Sequence, residues 1–402
     1  MIVSPVPSAP DEDPGRTQWI LAPLGKTTNM ESSGPTPRGA IDCSDLTDVF
    51  TYSGPLLSVY LETEPVSHAA QLSQQKWQTL RRELEETGAS RESLDAVDGL
   101  IPDAHARGRC LSAVVSSDGQ VLHHGNHPDP PDRDIGRWSE LPSLVPVIEW
   151  RQTRPPHIVV MTDRTGADIF VFEALGGRDF QIEVEGSDDV IRKVAPGGWS
   201  QRRFQQRAED SWETNAKVVA DRLTRIADKV EARVIVAAGD VRALQLLREA
   251  LPPQVDALVE QIDGSRSVDG SVDAVADDVA TLVATAVAHD TAELIAKFRE
   301  ELGQADRAAN GPEDVAAALC EGRVDVLLLH DNPDDERIAY IGPDGTHVAL
   351  ALGPLKEMGV DAPIEARLPD ALLRAAVGTS AKVRVVPAAS VLKDGVGAIL
   401  RW

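Results

Sequence analysis

The chain has 402 residues, 42% of them hydrophobic, and a formal net charge of −24 at pH 7. That length exceeds one ordinary core and predicts two or three domains, while the charge excludes a surface that binds nucleic acid all over, because phosphate contacts need clustered Lys and Arg. The apolar runs are too short for a membrane span, and no basic-then-apolar leader opens the chain, so a cytoplasmic protein without membrane contact is expected. Cys43, Cys110 and Cys320 are odd in number and lack C-x-x-C spacing, which reads as reduced thiols that chelate no zinc.

Residues 1–45 are rich in Pro, Ser, Gly and Thr without a sustained period, and are predicted as a disordered tail. Met30 inside it is an alternative start. A first domain is expected over 46–145. Its first buried strand lies in "GPLLSVYLETEP" (54–65), followed by a helix over 69–87 that carries Trp77, Leu80 and Leu84 at helical spacing. "CLSAVVSSDGQVLHH" (110–124) predicts a hairpin turning at Asp118-Gly119. The Pro-rich stretch 127–146 reads as a domain boundary or a long excursion.

A second domain is expected over 146–271. "HIVVMTDRTGADIFVFEA" (157–174) predicts a second hairpin. A loop follows, then a long helix on which Trp212, Ala216, Val219, Leu223, Ile226 and Val230 form one apolar face. "ARVIVAAGD" (232–240) is a buried strand with a helix returning behind it, and this order predicts a partly parallel sheet covered by helices. The third domain, 272–402, opens with a helix over 272–302. A helix with Pro312 in its first turn and Gly322 as its cap comes next, then the strand Val-Asp-Val-Leu-Leu-Leu. Strands at 337–341, 347–352 and 382–386 surround a helix at 370–376, and "GVGAILRW" closes the chain. The fold class is α/β with three mixed-sheet domains.

The loop before the long helix is the electrostatic anomaly. Between Ile191 and Ala208 stand five basic residues, Arg192, Lys193, Arg202, Arg203 and Arg207, and no carboxylate. Gly197 and Gly198 let the backbone approach a partner closely, and Trp199 at a loop tip needs something to cover or stack upon. Arginines at a helix start oppose its dipole, a small cost that wants a reason. Two readings stand side by side: a grip on RNA phosphates, or arginines paired with nearby carboxylates and Trp199 packed into a domain interface.

Other constellations read as structural. His123 and His124 in "HHGNH" point to opposite faces of a strand, so with His127 they suit a solvated turn better than a metal site. Asp277-Asp278 and Asp334-Asp335 read as solvated faces or turns. Asp163 and Asp168 flank a hairpin with no third acid placed to complete a metal site. No nucleophile elbow, zinc-protease, Walker or dinucleotide motif occurs. Cofactors and metals are expected to be none.

"APGGWSQRRF" with the helix after it resembles the central loop of the archaeo-eukaryotic class-one release factors and Pelota. There the loop reads Gly-Gly-Gln-Ser, three variable-to-basic positions, Phe and a long helix. Gly197, Gly198, Ser200, Arg203, Phe204 and the 215–221 helix segment fall in step with it. "VAAALCEGRVDVLLLHD" is similar to the family's third-domain helix and strand, and "GVGAILRW" to Pelota's closing strand. The resemblance runs over about 53–402, and in pattern it places the chain with the bacterial, Balon-type ribosome hibernation factors.

The resemblance implies a three-domain, tRNA-shaped protein that enters the ribosomal A site and meets rRNA of both subunits. Its third domain would meet elongation factor Tu. The RNA-binding set carried over is Arg192, Lys193, Gly197, Gly198, Trp199, Ser200, Gln201, Arg202, Arg203, Phe204 and Arg207. The family's hydrolytic Gln position is Trp199 here, and an indole has one donor and no acceptor with which to order water. The first domain lacks the Asn-Ile-Lys-Ser and Tyr-x-Cys signatures of stop-codon reading. The expected function is occupancy of idle ribosomes without catalysis. The alternatives are a rescue factor that cleaves peptidyl-tRNA or tRNA, with Gln201 as substitute amide, and a stress-associated scaffold that acts away from the ribosome. No DNA partner is expected.

Overall fold

The structure is a computed structural model that describes residues 39–63, 69–104, 109–127, 133–173, 180–185, 200–266, 273–304, 306–330, 332–387 and 391–402. Most of the tail predicted over 1–45 lies outside these residues. Its last residues, however, are already part of the fold: Ile41 bridges Val383, and Cys43 is 2% exposed beside Leu46 and Phe50. A short helix α1 (Thr47–Thr51) follows.

The first sheet is built around β1 (Leu56–Glu62), with α2 (Ala69–Glu86) and α3 (Arg91–Ala104) on one face. It is completed by β2 (Cys110–Ser116), β3 (Val121–His127) and β4 (Ile135–Ser139), all antiparallel in the order β3-β2-β1-β4. β1 is central and therefore buried on both sides. Leu57, Val59 and Leu61 meet Trp77, Leu84, Leu94 and Val97, whereas Leu56 and Tyr60 face a second core with Val145 and Ile148. Of the stretch 127–146, read above as a domain boundary or a long excursion, the described residues 133–146 supply β4 and lead into α4 (Val145–Thr153). Ile-Gly-Arg-Trp-Ser has a weak strand pattern, and pairing with β1 makes it one.

The histidines on β3 are also placed differently from the solvated turn expected. His123 and His127 turn inward, with Nε2 atoms 3.4 and 2.7 Å from the Ser112 hydroxyl, and the His127 ring stacks on Trp150 at 3.8 Å. Burial, helped by the charge of Arg151, lowers the His123 pKa to about 4; burial, helped by the charges of His123 and Arg151, lowers that of His127 to about 3. An unfolded His titrates near pH 6.5. As pH falls through that value the unfolded chain takes up protons that the folded chain refuses until about 4, so stability is complete above 6.5 and declines below it. The fully buried His127 should contribute about 2–3 kcal/mol of this loss by pH 4.5. Urea midpoints at pH 7 and 4.5 test it, and His127→Gln should narrow the gap between them.

The second sheet comprises β5 (His157–Thr162), β6 (Gly166–Phe172), β7 (Phe180–Glu185), β8 (Val234–Gly239) and β9 (Val259–Gln261). Between β7 and β8 runs α5 (Ser200–Val230), and α6 (Val241–Ala250) and α7 (Pro253–Asp256) lie between β8 and β9. The order is β7-β6-β5-β8-β9, with β8 parallel to β5 and β9 and the hairpins antiparallel. This is the partly parallel sheet that the β-α-β-α order predicts. Val219, Leu223 and Ile226 of α5 join Leu244 and Leu247 of α6 over one face.

The opposite face is covered by the first half of α8 (Ala276–Gln304), where Val279 and Val283 pack on Val159, Met161 and Val236. Its second half buries Leu294 and Phe298 against Val326, Leu328 and Ile399 of the last sheet. One helix thus serves two cores, and a boundary at 272 does not separate them. Among the described residues it is also the one helix long and apolar enough to cross a membrane by composition; here its buried stripe faces the two sheets.

The last stretch contains β10 (Ala308–Asn310), α9 (Pro312–Cys320), β11 (Val324–His330), β12 (Ile338–Ile341), β13 (Val348–Ala349), α10 (Leu352–Glu357), β14 (Ile364–Arg367), α11 (Leu368–Gly378), β15 (Lys382–Val386) and β16 (Val396–Leu400). Its main sheet has the order β10-β16-β11-β15 with β11 and β15 parallel, and a small antiparallel sheet has the order β13-β12-β14. The strand expected over 347–352 shortens to two residues because Leu352 starts α10. Asp335 is 7% exposed, with its carboxylate on the Arg337 guanidinium at 2.6 and 2.9 Å, so the Asp334-Asp335 pair is not simply solvated.

Candidate RNA-facing helix and its footing

The helix α5 has 31 residues and spans about 46 Å at 1.5 Å per residue. Its described packing begins at Trp212. There the Arg164 guanidinium lies over the indole, 4.6 Å from the ring centroid, and Asn215 Nδ2 donates to the Arg164 carbonyl at 3.2 Å. Arg164 also pairs with Asp240 at 3.2 Å. Asp240 accepts from the Arg242 and Ala243 amides at 3.0 and 3.2 Å and so caps α6. Burial works against this carboxylate, but the Ala243 amide, Arg164 and the Arg242 amide outweigh it and hold its pKa below the usual range. One turn thus ties the middle of α5 to the start of α6.

That turn is itself prepared locally. Asp163 accepts from the Thr165 amide and hydroxyl at 2.7 and 2.6 Å and from the Gly166 amide at 3.0 Å, the side-chain-to-backbone bonding that Asp favours in turns. Gly239, at the end of β8, has φ +141, and a Cβ there would come 1.8 Å from the Thr162 carbonyl oxygen. Only glycine lets β8 run this close to β5 and deliver Asp240 to Arg164.

Of the residues singled out in the sequence, Arg192, Lys193, Gly197, Gly198 and Trp199 lie outside the described residues. Ser200, Gln201, Arg202, Arg203, Phe204 and Arg207 occupy the first turns of α5. Positions 203 and 207 precede Asp221 and Arg225 by 18 residues, five turns at 3.6 per turn, and both of those are exposed. Positions 201 and 202 share the phase of Val219 and Ala220, which are buried. The Arg164, Trp212, Asn215 and Asp240 footing was not singled out as a site. Its one visible signal is a Trp at the head of the apolar face beside a polar turn.

The third acid thought missing beside Asp163 and Asp168 is present: Glu183 pairs with Asp168 across β6 and β7. All three surround Arg266, which binds Asp168 at 2.8 and 3.1 Å, Glu183 at 3.0 Å and Asp163 at 3.6 Å. A guanidinium fills the place a cation would take. His289, Asp290 and Glu293 on α8 have ligand atoms within 4.8 Å of one another, but Asp290 is held by Arg233 at 2.6 Å. Burial pushes the Cys43 thiol up to about 12 and raises those of Cys110 and Cys320 as well, so these thiols are not poised as thiolates.

Residues 156–304 match the profile of Bacterial archaeo-eukaryotic release factor family 2. An uncharacterized protein of Mycobacterium tuberculosis (strain CDC 1551 / Oshkosh) is 28% identical over 359 residues, 87% of this chain and 94% of that protein. Among solved structures, the archaeal translation termination factor is similar at 19% identity over 89% of this chain and 96% of that one, with a TM-score of 0.24. Archaeoglobus fulgidus Pelota is similar at 13% identity over 89% and 91%, with a TM-score of 0.32.

Proposed function

We propose that this protein is a translation factor of the cytoplasm that occupies the A site of idle ribosomes and protects them without hydrolysing peptidyl-tRNA. The observation that supports it most is α5: a helix inside the matched segment, footed from Trp212 onward, whose first turns put positions 203 and 207 in one helical phase shortly after the Gly-Gly-Trp sequence. Clustered arginines suit rRNA phosphates, and a Trp stacked on a base adds about 1–3 kcal/mol. The acidic remainder, with a net charge of −24, limits binding elsewhere. With Trp199 at the water-ordering position, the loop arrives without the reagent for hydrolysis. Elongation factor Tu is the proposed partner of the C-terminal stretch.

Two measurements test this reading. Purified protein should co-sediment with ribosomes at low salt and dissociate steeply as salt rises; no binding at low salt refutes the proposal. In a peptidyl-tRNA release assay it should match background. Turnover that disappears in Gln201→Ala would instead identify a rescue enzyme.

A further inference from the structure

Arg374 of α11 is 9% exposed and enters no ion pair among the described residues. Its Nη2 donates to the carbonyls of Gly342 and Pro343 at 2.9 and 3.3 Å, whereas its Nη1 is buried without a partner. The acid whose field reaches it is Asp344, and that carboxylate is spent on the Thr346 amide and hydroxyl, both at 2.8 Å. Burial lowers the arginine's pKa and Asp344 offsets only part of the effect. Buried charges are normally paired, so this one is incomplete.

Against Arg374 lies a cleft of about 410 Å³, within the range of small-molecule sites. Phe50, Leu141, Ile341 and Val377 supply apolar wall, and Ile364, 46% exposed, stands at the rim. The loop that takes the Nη2 bonds closes one side because Gly378 meets it backbone to backbone: a Cβ on Gly378 would come 3.1 Å from the Gly345 carbonyl carbon. A mixed-polarity cleft with an apolar wall and one incompletely paired guanidinium among its lining residues is complementary to a small molecule with an apolar body and one oxyanion.

We propose that this cleft binds a small organic anion, its carboxylate or phosphate paired with Arg374 and its apolar part against Phe50, Leu141 and Val377. The exposed Glu140 in the lining disfavours a polyanion such as an RNA strand. The proposal is independent of ribosome binding. Its rival is that Arg374 only straps the 342–345 loop to α11.

The test is thermal unfolding of the full chain with benzoate, octanoate or phenyl phosphate, each against sodium chloride at matched ionic strength. At least one organic anion should raise Tm by a few degrees, saturably, and a carboxylate-only or phosphate-only response assigns the anionic group. The rise should vanish in Arg374→Met and in Ile364→Trp, which narrows the mouth and leaves the arginine in place. If Arg374→Met does not fold, Ile364→Trp decides alone. A rise that survives in the folded variants, or none with any organic anion, overturns the proposal.

Discussion

Replacing Arg203 and Arg207 together by alanine should weaken ribosome binding by about 10–30-fold near 0.15 M salt, since each lost phosphate contact removes roughly 0.7–0.9 from the slope of log affinity against log salt. The slope itself should flatten by about 1.4–1.8. The pair is chosen by helical phase: both positions continue the line that carries exposed Asp221 and Arg225 further along α5. Arg202 shares the phase of buried Ala220, so Arg202→Ala alone should cost less. Sedimentation across a salt series reads both quantities. An unchanged slope in the double variant would mean that these arginines pair within the protein, the bland reading of the loop.

Gly239→Ala should carry the largest stability cost, about 4 kcal/mol or more, because two penalties coincide. The residue sits at φ +141, where a side chain is strained by about 1–3 kcal/mol. Its Cβ would also lie 1.8 Å from the Thr162 carbonyl oxygen, a distance no rotamer can relieve. The parallel β5–β8 pairing must open, and Asp240 is then withdrawn from both the α6 amides and Arg164. Gly88→Ala is the control: φ is +91 there, but nothing lies within 4 Å of the added carbon, so only backbone strain of about 1 kcal/mol remains. Urea denaturation compares the two. Near-native stability for Gly239→Ala would refute the close approach of the strands, and weakened ribosome binding in the folded fraction would connect the footing to the helix it aims.

Much of the architecture was legible because it is written in local periodicity. The run Leu-Leu-Ser-Val-Tyr-Leu could only be a strand buried on both faces, and its alternation divides cleanly between two cores. The apolar face of α5 and the turn at Asp118-Gly119 were equally readable, the glycine there taking φ +85. The helix α3 was missed although Leu94, Val97 and Ile101 stand at helical spacing and all are buried. By contrast, β4 has no pattern of its own; β1 recruits it.

The α/β class, the faces of the long helices and the carboxylate-free basic stretch that runs into α5 can be read from the residues in order, because spacing and charge are properties of neighbouring residues. Long-range packing is what turns His127, and half-buried His123 beside it, onto Ser112, gathers Asp163, Asp168 and Glu183 around Arg266, makes α8 serve two cores and leaves Arg374 with a spare donor beside a cleft. Each of these depends on which distant residue arrives opposite, and that is set by strand pairing and burial across tens to hundreds of residues, where no local pattern reaches.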